Sequence, residues 1–219
     1  MKKNYVQLYS EIVSREINVP PNVITRIFLS RFSPIKTNFY RKKILDFSCG
    51  SGTYLEFLQN LKLKVYATEI SKKIIQNLTK KFPKVSFKES DNKKIRFKNN
   101  YFDFVLCHHS VYYLNSKDDK FDNTINEIKR TTKAGGFIIC TFPTINQYHL
   151  KFKKVKKQTF KIVYDKYGLR KDGYMHLFKN KKEIRNYFKK KFEIVELGKQ
   201  KISLGQLNES FYILILRKK

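Results

Sequence analysis

Residues 46–53 read DFSCGSGT, and they directly follow the apolar pair Ile44 and Leu45. Small residues and two glycines after a short apolar run are typical of a turn in which the backbone passes close to a ligand. The nucleotide-phosphate loop is excluded, because it needs Gly-Lys-Ser/Thr and the sequence after Gly52 is TYLEF. A dinucleotide fingerprint is disfavoured, because Leu55 stands where the third Gly or Ala would be.

Short apolar runs alternate with longer amphipathic ones from residue 42 onward, and this alternation predicts the fold. The predicted strands are 43–47, 64–69, 85–89, 102–108 and 136–142, and the predicted helices are 53–61, 71–82 and 118–132. Ser71 is the expected N-cap of the second helix, and the Ala-Gly-Gly at 134–136 is the expected end of the third. Strands that alternate with helices predict a parallel sheet with helices on both faces.

The rest of the chain predicts a single domain, 1–219, in four segments. Residues 1–41 are expected to form a helical cap over the mouth of the sheet, and residues 42–142 the core. Residues 143–179 lack a clear period and are expected to be an insertion or lid. Residues 180–219 predict a helix near 180–190 and strands at 192–202 and 210–218, paired antiparallel at a sheet edge. The fold class is therefore α/β, with a seven-stranded, mostly parallel sheet.

The composition is strongly basic, with 47 Lys and Arg against 18 Asp and Glu and a net charge of +29. This charge suits a nucleic-acid or anionic-membrane partner. Only nine of the basic residues are Arg, however, whereas base readout and bidentate phosphate contacts favour Arg over Lys. The skew towards Lys favours a compositional bias over a nucleic-acid role.

The three cysteines, Cys49, Cys107 and Cys140, are odd in number and form no Cys-x-x-Cys pair, so we expect reduced thiols and neither a disulfide framework nor a zinc site. The apolar run FYILIL at 211–216 is too short to span a membrane. We therefore expect a cytoplasmic protein without a metal, and its oligomeric state stays open.

Glu69 ends the predicted strand 64–69, next to the one that precedes the glycine turn. An acid at this place in nucleotide-binding Rossmann-like units accepts hydrogen bonds from ribose hydroxyls. Together with a glycine turn that has no phosphate to hold, Glu69 indicates a nucleoside ligand.

The chain resembles the class I S-adenosylmethionine-dependent methyltransferases, a Rossmann-like family, over about residues 42–142. The resemblance is carried by ILDFSCGSGTYLEFL (44–58), VYATEIS (65–71), ESDNKKIRFKNNYFDFVLCHHSVYYL (89–114) and INEIKRTTKAGGFIICTF (125–142). Each motif is weak alone, but their order and spacing are those of the family. Ser48 departs from it, since it replaces the first glycine of the common acidic-x-Gly-x-Gly-x-Gly pattern.

The resemblance implies S-adenosylmethionine as cofactor and assigns its contacts. Asp46 and the loop with Ser48, Cys49, Gly50 and Gly52 would hold its methionine part, Glu69 with Ile70 its ribose, and Asp91 with Asn92 its adenine, while His108 would border it. His108 and His109 are the candidate catalytic bases, because a neutral imidazole can take a proton from a hydroxyl or amine. Tyr112, Tyr113, Tyr148 and His149 either line the acceptor pocket or pack in the core.

The predicted function is methyl transfer to O or N of a small molecule or a sugar or glycan intermediate. The alternatives are an RNA methyltransferase, favoured by the charge and by KFKKVKKQTFK at 151–161, and a non-catalytic module that binds nucleoside or RNA. A nicotinamide oxidoreductase is disfavoured by Leu55.

Overall fold

The computed structural model describes residues 23–32, 38–91, 94–205 and 207–219. Its helices are α1 (Val23–Ser30), α2 (Leu55–Asn60), α3 (Lys72–Lys81), α4 (Phe121–Thr131) and α5 (Lys181–Phe188). Its strands are β1 (Lys43–Asp46), β2 (Lys64–Glu69), β3 (Ser86–Glu89), β4 (Phe102–Cys107), β5 (Tyr113–Leu114), β6 (Thr132–Pro143), β7 (Leu150–Lys154), β8 (Thr159–Asp165), β9 (Tyr174–His176), β10 (Glu193–Leu204) and β11 (Leu207–Arg217). None of the described helices has the length and hydrophobicity of a membrane span.

The main sheet has seven strands in the order β3-β2-β1-β4-β6-β11-β10. The strands β1, β2, β3, β4 and β6 run parallel, whereas β11 pairs antiparallel with β6 and with β10. The predicted fold class, with its antiparallel hairpin at the edge of a mostly parallel sheet, is confirmed.

Alternating side chains of the central strands enter two separate cores. Ile44 and Phe104 belong to the core that also contains α1, α2 and α3 residues, and Leu45 and Val105 belong to the core that contains α4 and α5 residues. Because successive strand residues point to opposite faces, both faces of the sheet are buried under helices. This explains why the strands read as continuous apolar runs.

Three strands of the insertion, β7, β8 and β9, form a second, four-stranded antiparallel sheet with β5 in the order β5-β9-β8-β7, which the sequence analysis did not predict. Leu150, Phe160, Ile162 and Met175 attach it to the core under α4 and α5. Lysines at exposed strand positions have low β propensity, and a register shift at Lys151 interrupts the alternation. These two features hid the strands.

The Ala-Gly-Gly at 134–136 does not end the third predicted helix, and that prediction was wrong. Helix α4 ends at Thr131 and β6 begins at once, because the Thr131 and Thr132 hydroxyls donate to the Glu127 carbonyl (3.0 Å) and the Ile128 carbonyl (2.7 Å) and satisfy the helix end. The glycines lie inside β6, where Gly135 has φ +73°. The Ser71 N-cap is confirmed, since its side chain accepts from the Ile74 amide at 3.4 Å.

The predicted N-terminal cap lies largely outside the described residues, which here include only 23–32 and 38–41 of that segment. The described part contains α1, whose Phe28 lies against Phe104 with ring centroids 6.0 Å apart. Phe32 packs on Phe137 at 4.9 Å. This helix therefore covers one face of the sheet near β4 and β6.

Candidate active site

A cavity of about 400 Å³ opens where β1, β4 and β6 end, the edge of a parallel sheet at which ligands bind. Its loop half is formed by His108 and by most of the glycine loop: Asp46, Ser48, Cys49, Gly50, Ser51, Thr53 and Tyr54. Its sheet half is formed by the second sheet and by the edge hairpin: Gln147, His149, Leu150, Arg170, Met175, Gln200, Ile202, Glu209 and Phe211. His109, Tyr112, Tyr113 and Thr141 also line the cavity.

The glycine loop is fastened to the end of β2. The Ser48 amide donates to the Thr68 hydroxyl (3.1 Å), and the Cys49 amide donates to the Thr68 carbonyl (2.9 Å). Ser48, Gly50 and Gly52 all adopt the left-handed conformation, with φ of +54°, +56° and +79°. Ser48 thus occupies a backbone conformation that favours glycine, which explains why the pattern it departs from has glycine there.

Gly52 does not line the cavity but fits the loop onto the helices below. A Cβ at this position would lie 2.8 Å from Leu55 Cδ1 and 2.9 Å from Leu78 Cδ2. The glycine therefore allows close packing of the loop on α2 and α3, in addition to its positive φ.

Glu69 is fully buried under the glycine loop and does not line the cavity. Its carboxylate accepts hydrogen bonds from the backbone amides of Gly50 (3.1 Å), Ile70 (2.8 Å) and Ser71 (3.0 Å). Burial raises the pKa of Glu69, and these hydrogen bonds oppose that rise. The structure thus gives Glu69 a role in holding the loop.

Asp46 is 3 % exposed, lines the cavity, and its Oδ2 has no hydrogen-bond partner among the described residues. Burial and the nearby Glu69 carboxylate raise the pKa of Asp46 to about 7. A buried, unpartnered carboxylate is unfavourable until a cation or donor meets it. Asp46 therefore marks the place where a positively charged ligand group fits.

His108 and His109 lie together at the end of β4, with ring centroids 3.8 Å apart. The Thr141 hydroxyl accepts from the His109 amide (2.8 Å) and lies 3.5 Å from His108 Nδ1. Burial lowers the pKa of both imidazoles, that of His109 to about 4. Both rings are therefore neutral at physiological pH and do not repel a cationic ligand.

The remaining predicted residues lie away from this cavity. Asp91 follows β3, and its carbonyl accepts from the Asn115 side chain (3.3 Å) beside a smaller pocket of about 20 Å³. Ile70 follows β2 and lines neither space. Asn92 lies outside the described residues. Among the described residues no group of three or more His, Cys, Asp or Glu side chains is placed to hold a metal ion.

Only His149 among the nine residues of the sheet half was predicted from the sequence; Gln147, Arg170 and Glu209 are among the eight that were missed. Gln147 donates its amide nitrogen to the carbonyls of Ser210 (2.7 Å) and Thr144 (3.2 Å), and its buried Oε1 has no partner among the described residues. The sequence held a signal for Arg170, because an arginine is rare in a chain that otherwise uses lysine.

Arg170 is positioned by the turn after β8. Asp165 is buried, and its carboxylate accepts from the backbone amides of Tyr167 (3.0 Å), Leu169 (3.0 Å) and Arg170 (2.6 Å). Three backbone bonds to one carboxylate fix the turn, so the guanidinium of Arg170 lies at the cavity.

The sequence of residues 45–140 matches the model of the methyltransferase domain family. Residues 45–140 are a methyltransferase domain. The motifs and the confirmed fold class agree with this match, and S-adenosylmethionine is the cofactor that such a domain implies. No curated protein sequence matches the chain.

Solved structures share the fold at low sequence identity. A methyltransferase from Methanosarcina mazei is 20% identical, with a TM-score of 0.65 over 84% of this chain and 97% of that one. A protein from Pyrococcus horikoshii OT3 is 19% identical, with a TM-score of 0.64 over 92% of this chain and 93% of that one. The 1,6-didemethyltoxoflavin-N1-methyltransferase of Burkholderia thailandensis, solved with 1,6-didemethyltoxoflavin and S-adenosylhomocysteine, is 11% identical, with a TM-score of 0.67 over 95% of this chain and 81% of that one.

The loop half of the cavity fits the methionine part of this cofactor. S-adenosylmethionine carries an ammonium and a sulfonium, and the unpartnered Asp46 carboxylate is the kind of group that a buried cation requires. The neutral His108 and His109 add no opposing positive charge. Asp46 thus gives the methyltransferase a site of the correct charge.

Proposed function

We propose that this methyltransferase transfers the methyl group of S-adenosylmethionine to O or N of a small-molecule acceptor held in the sheet half of the cavity. When bound, the cofactor supplies a methyl group on a positively charged sulfur. A sugar or glycan precursor belongs to the same class of acceptor. The cavity lining carries this proposal. Arg170 is the one Lys or Arg side chain among its described residues, although the chain has 47. A cavity that received RNA would need several such side chains to meet the phosphates.

In this proposal the loop half binds the cofactor. Asp46 meets its positive charge, and the loop residues Ser48, Cys49 and Gly50 border its methionine part. Glu69 holds the loop in place through Gly50, and it would be the acceptor for the ribose hydroxyls.

Asp91, with Asn92 and Ile70, would border the adenosine end of the cofactor. Asp91 follows β3, which lies two strands from β1 and its glycine loop in the sheet order. The adenine would therefore bind near the smaller pocket, which Asp91 shares with Tyr113 and Asn115. His108 would lie at the boundary between cofactor and acceptor, where it lines the larger cavity beside Tyr54.

Much of the catalysis would come from placement, because the acceptor atom must approach the methyl group in line with the bond that breaks. The positive charge on sulfur disappears in the reaction, so the site needs no group that stabilises a new anion. It needs an enclosed space and, for an acidic hydroxyl or N–H, a base.

Isothermal titration calorimetry with S-adenosylhomocysteine and S-adenosylmethionine tests the cofactor site. We expect both to bind, and Asp46→Asn to weaken binding about tenfold or more, because one contact to a charged group contributes about 1.5–3 kcal/mol. Asp118→Asn, which changes an exposed carboxylate paired with Lys156, is the matched control. A folded wild-type protein that binds neither compound would contradict the proposal.

RNA methylation is the second candidate, favoured by the basic edge strand β7. Lys151, Lys153 and Lys154 are exposed there, at the open edge of the second sheet. Methyl transfer to RNA from radiolabelled S-adenosylmethionine would establish this candidate, whereas RNA binding without incorporation would leave the lysines as a general surface charge.

A further inference from the structure

We propose that His149 and Glu209 form a general-base pair that removes the proton of an acidic hydroxyl, of the phenol or enol class, on the methyl acceptor. This inference rests on the proposed function, and it replaces His108 and His109 as the candidate bases. It is carried by the geometry of the sheet half, where an imidazole and a carboxylate meet at the cavity wall.

The two side chains are in direct contact. Nδ1 of His149 lies 2.9 Å from Oε1 of Glu209, and both residues line the cavity. The pair is close by distance without the alignment of a good hydrogen bond, as is common for catalytic pairs before a ligand is bound. A carboxylate at Nδ1 holds the proton on that nitrogen and leaves Nε2 as the base.

The main chain places the pair by attaching residues 144–148 to β11. The Thr144 amide donates to the Ser210 carbonyl (3.0 Å), and the Tyr148 amide donates to the Asn208 carbonyl (3.1 Å). These two bonds flank Glu209 and bring His149 opposite its side chain. The His149 carbonyl accepts from the Lys166 amide (2.9 Å), so the residue is fixed from both sheets.

The second ring nitrogen of His149 is available to a ligand. Nε2 makes no hydrogen bond with any described residue and is not among the fully buried, unpartnered atoms. Because Nδ1 faces Glu209 and His149 lines the cavity, we infer that Nε2 faces the cavity space. His109, by contrast, has no carboxylate contact within ion-pair distance among the described residues.

The charges around Glu209 keep it ionised. Its contact with His149 lowers its pKa, and the positive charge of Arg170 contributes to the same shift. Arg170 therefore lies near Glu209 at the cavity wall.

The walls of the sheet half suit a planar acceptor. Leu150, Met175, Ile202 and Phe211 are apolar, and Tyr112 and Tyr113 stand at the boundary with the loop half. Apolar and aromatic walls with one cation and one base match a small ring that carries an acidic hydroxyl.

In the proposed step an O–H bond and a carbon–sulfur bond break, and an N–H bond and an O–C bond form. The acceptor hydroxyl gives its proton to Nε2 of His149, and the oxygen forms the new bond to the methyl carbon. The electron pair of the broken carbon–sulfur bond stays on sulfur, which becomes neutral. The positive charge passes to the imidazole, where the Glu209 carboxylate balances it.

Two probe acceptors that differ in acidity test the pair: phenol, which ionises near pH 10 like a tyrosine side chain, and 4-nitrophenol, which is ionised in mildly alkaline buffer. S-adenosylhomocysteine formation gives kcat and KM for each. We expect His149→Gln to lower kcat on phenol by about 10²–10⁴-fold. On 4-nitrophenol, which needs no base, the loss should be at least tenfold smaller.

Glu209→Gln tests the positioning role of the carboxylate. It should lower kcat on phenol more than it raises KM, with partial rescue by Glu209→Asp. His176→Gln is the control for histidine, since His176 is buried against Phe121 and Phe178 and does not line the cavity. Glu193→Gln, an exposed change on β10, is the control for glutamate. Thermal unfolding of each variant identifies losses that come from stability.

The outcomes separate this inference from the function on which it rests. Equal losses of His149→Gln on both phenols, or no loss on either, would overturn the base role. A wild-type enzyme that binds S-adenosylhomocysteine but methylates neither phenol would overturn the acceptor class and leave the cofactor site intact. Failure to bind S-adenosylhomocysteine would overturn the proposed function itself.

Discussion

At the scale of single residues, Ser48 is strained in the position where its backbone turns. A residue with a side chain in the left-handed region costs roughly 1–2 kcal/mol of folding free energy. Glycine removes this strain, but its unfolded chain has greater conformational freedom, which offsets part of the gain in stability. We expect Ser48→Gly to raise the free energy of unfolding by up to about 1 kcal/mol.

Urea denaturation measures this change, and Ser86→Gly is its control. Ser86 is an exposed strand residue in β3, where glycine should lower stability by about 0.5–1 kcal/mol. Two serine-to-glycine changes of opposite sign are therefore expected, and a loss of stability in both would contradict the strain at Ser48.

The raised pKa of Asp46 gives the second prediction at this scale. Between its ordinary value of 3.8 and about 7, the folded state holds a proton that the unfolded chain has lost, so this residue makes stability fall as pH rises through that window. The change amounts to a few kcal/mol at most. The lowered pKa values of His108 and His109 act in the opposite direction, because the unfolded state takes up more protons there.

Asp46→Asn removes only the first contribution. We expect the difference in unfolding free energy between variant and wild type to grow from pH 4 to pH 7 in favour of the variant. Chemical denaturation across this range, without cofactor, measures it. A difference that is constant with pH would show that Asp46 keeps an ordinary pKa.

The structure places Asp46 and Gly50, which the sequence singled out, at the cavity, whereas most of the sheet half was not singled out, for a physical reason. Asp46 and Gly50 lie close together in the chain, so a local sequence pattern predicts them. His149 and Glu209 are far apart in sequence and meet only through the hydrogen bonds of β11. No spacing rule predicts such a contact, and His149 was indistinguishable from a core residue.

At the scale of elements, the turn after β8 depends on Asp165. Asp165→Asn removes one of the two carboxylate oxygens that the Tyr167, Leu169 and Arg170 amides use, and should lower stability by about 1–3 kcal/mol. It should also raise the KM for the acceptor while leaving the affinity for S-adenosylhomocysteine unchanged.

Hydrogen exchange of residues 166–170 measures the loss of stability, steady-state kinetics the KM, and calorimetry the affinity for S-adenosylhomocysteine. Asp172→Asn is the control, since Asp172 forms an exposed ion pair with Lys161 (2.8 Å) and should change stability by less than about 0.5 kcal/mol. Equal effects of the two substitutions would mean that Asp165 does not hold the turn.

Helix α4 is tied to the segment before β4 by Arg130. Its guanidinium donates to both Glu127 oxygens (2.7 Å each), to the carbonyls of Ile95 (2.7 Å) and Phe97 (2.9 Å), and to Asn99 (2.8 Å). Lysine has a single donor centre and cannot form this set.

We expect Arg130→Lys to lower the free energy of unfolding by about 1–3 kcal/mol. Arg217→Lys, which lies near Glu193 at 4.0 Å on the surface, should cost less than about 1 kcal/mol and is the control. Thermal and urea unfolding compare the two. Similar costs would show that the bidentate geometry contributes little.

Element boundaries in the core were predictable because parallel strands buried on both faces give unbroken apolar runs. The second sheet was not, since only one of its faces is buried and its exposed positions carry lysine. The end of α4 was misplaced for another reason, because two threonine hydroxyls close that helix before the glycines are reached.

At the scale of the whole molecule, the charge of +29 predicts general binding to polyanions. Affinity for unstructured RNA should fall steeply with salt, with a slope of log K against log salt near −0.7 per phosphate contact. Filter binding over a range of salt concentrations measures it. If instead RNA affinity resists salt and RNA receives methyl groups, the small-molecule proposal is wrong.

The division of the cavity between two sheets has a practical consequence for engineering. The cofactor contacts proposed here come from the central sheet, whereas the acceptor contacts come largely from residues 144–178, a continuous stretch that leaves β6 and returns before α5. Such a stretch can be transplanted as one cassette. A chimera that receives this segment from a related methyltransferase should still use S-adenosylmethionine but methylate a different acceptor. Ser210 should be retained, because its carbonyl anchors the start of the segment at Thr144.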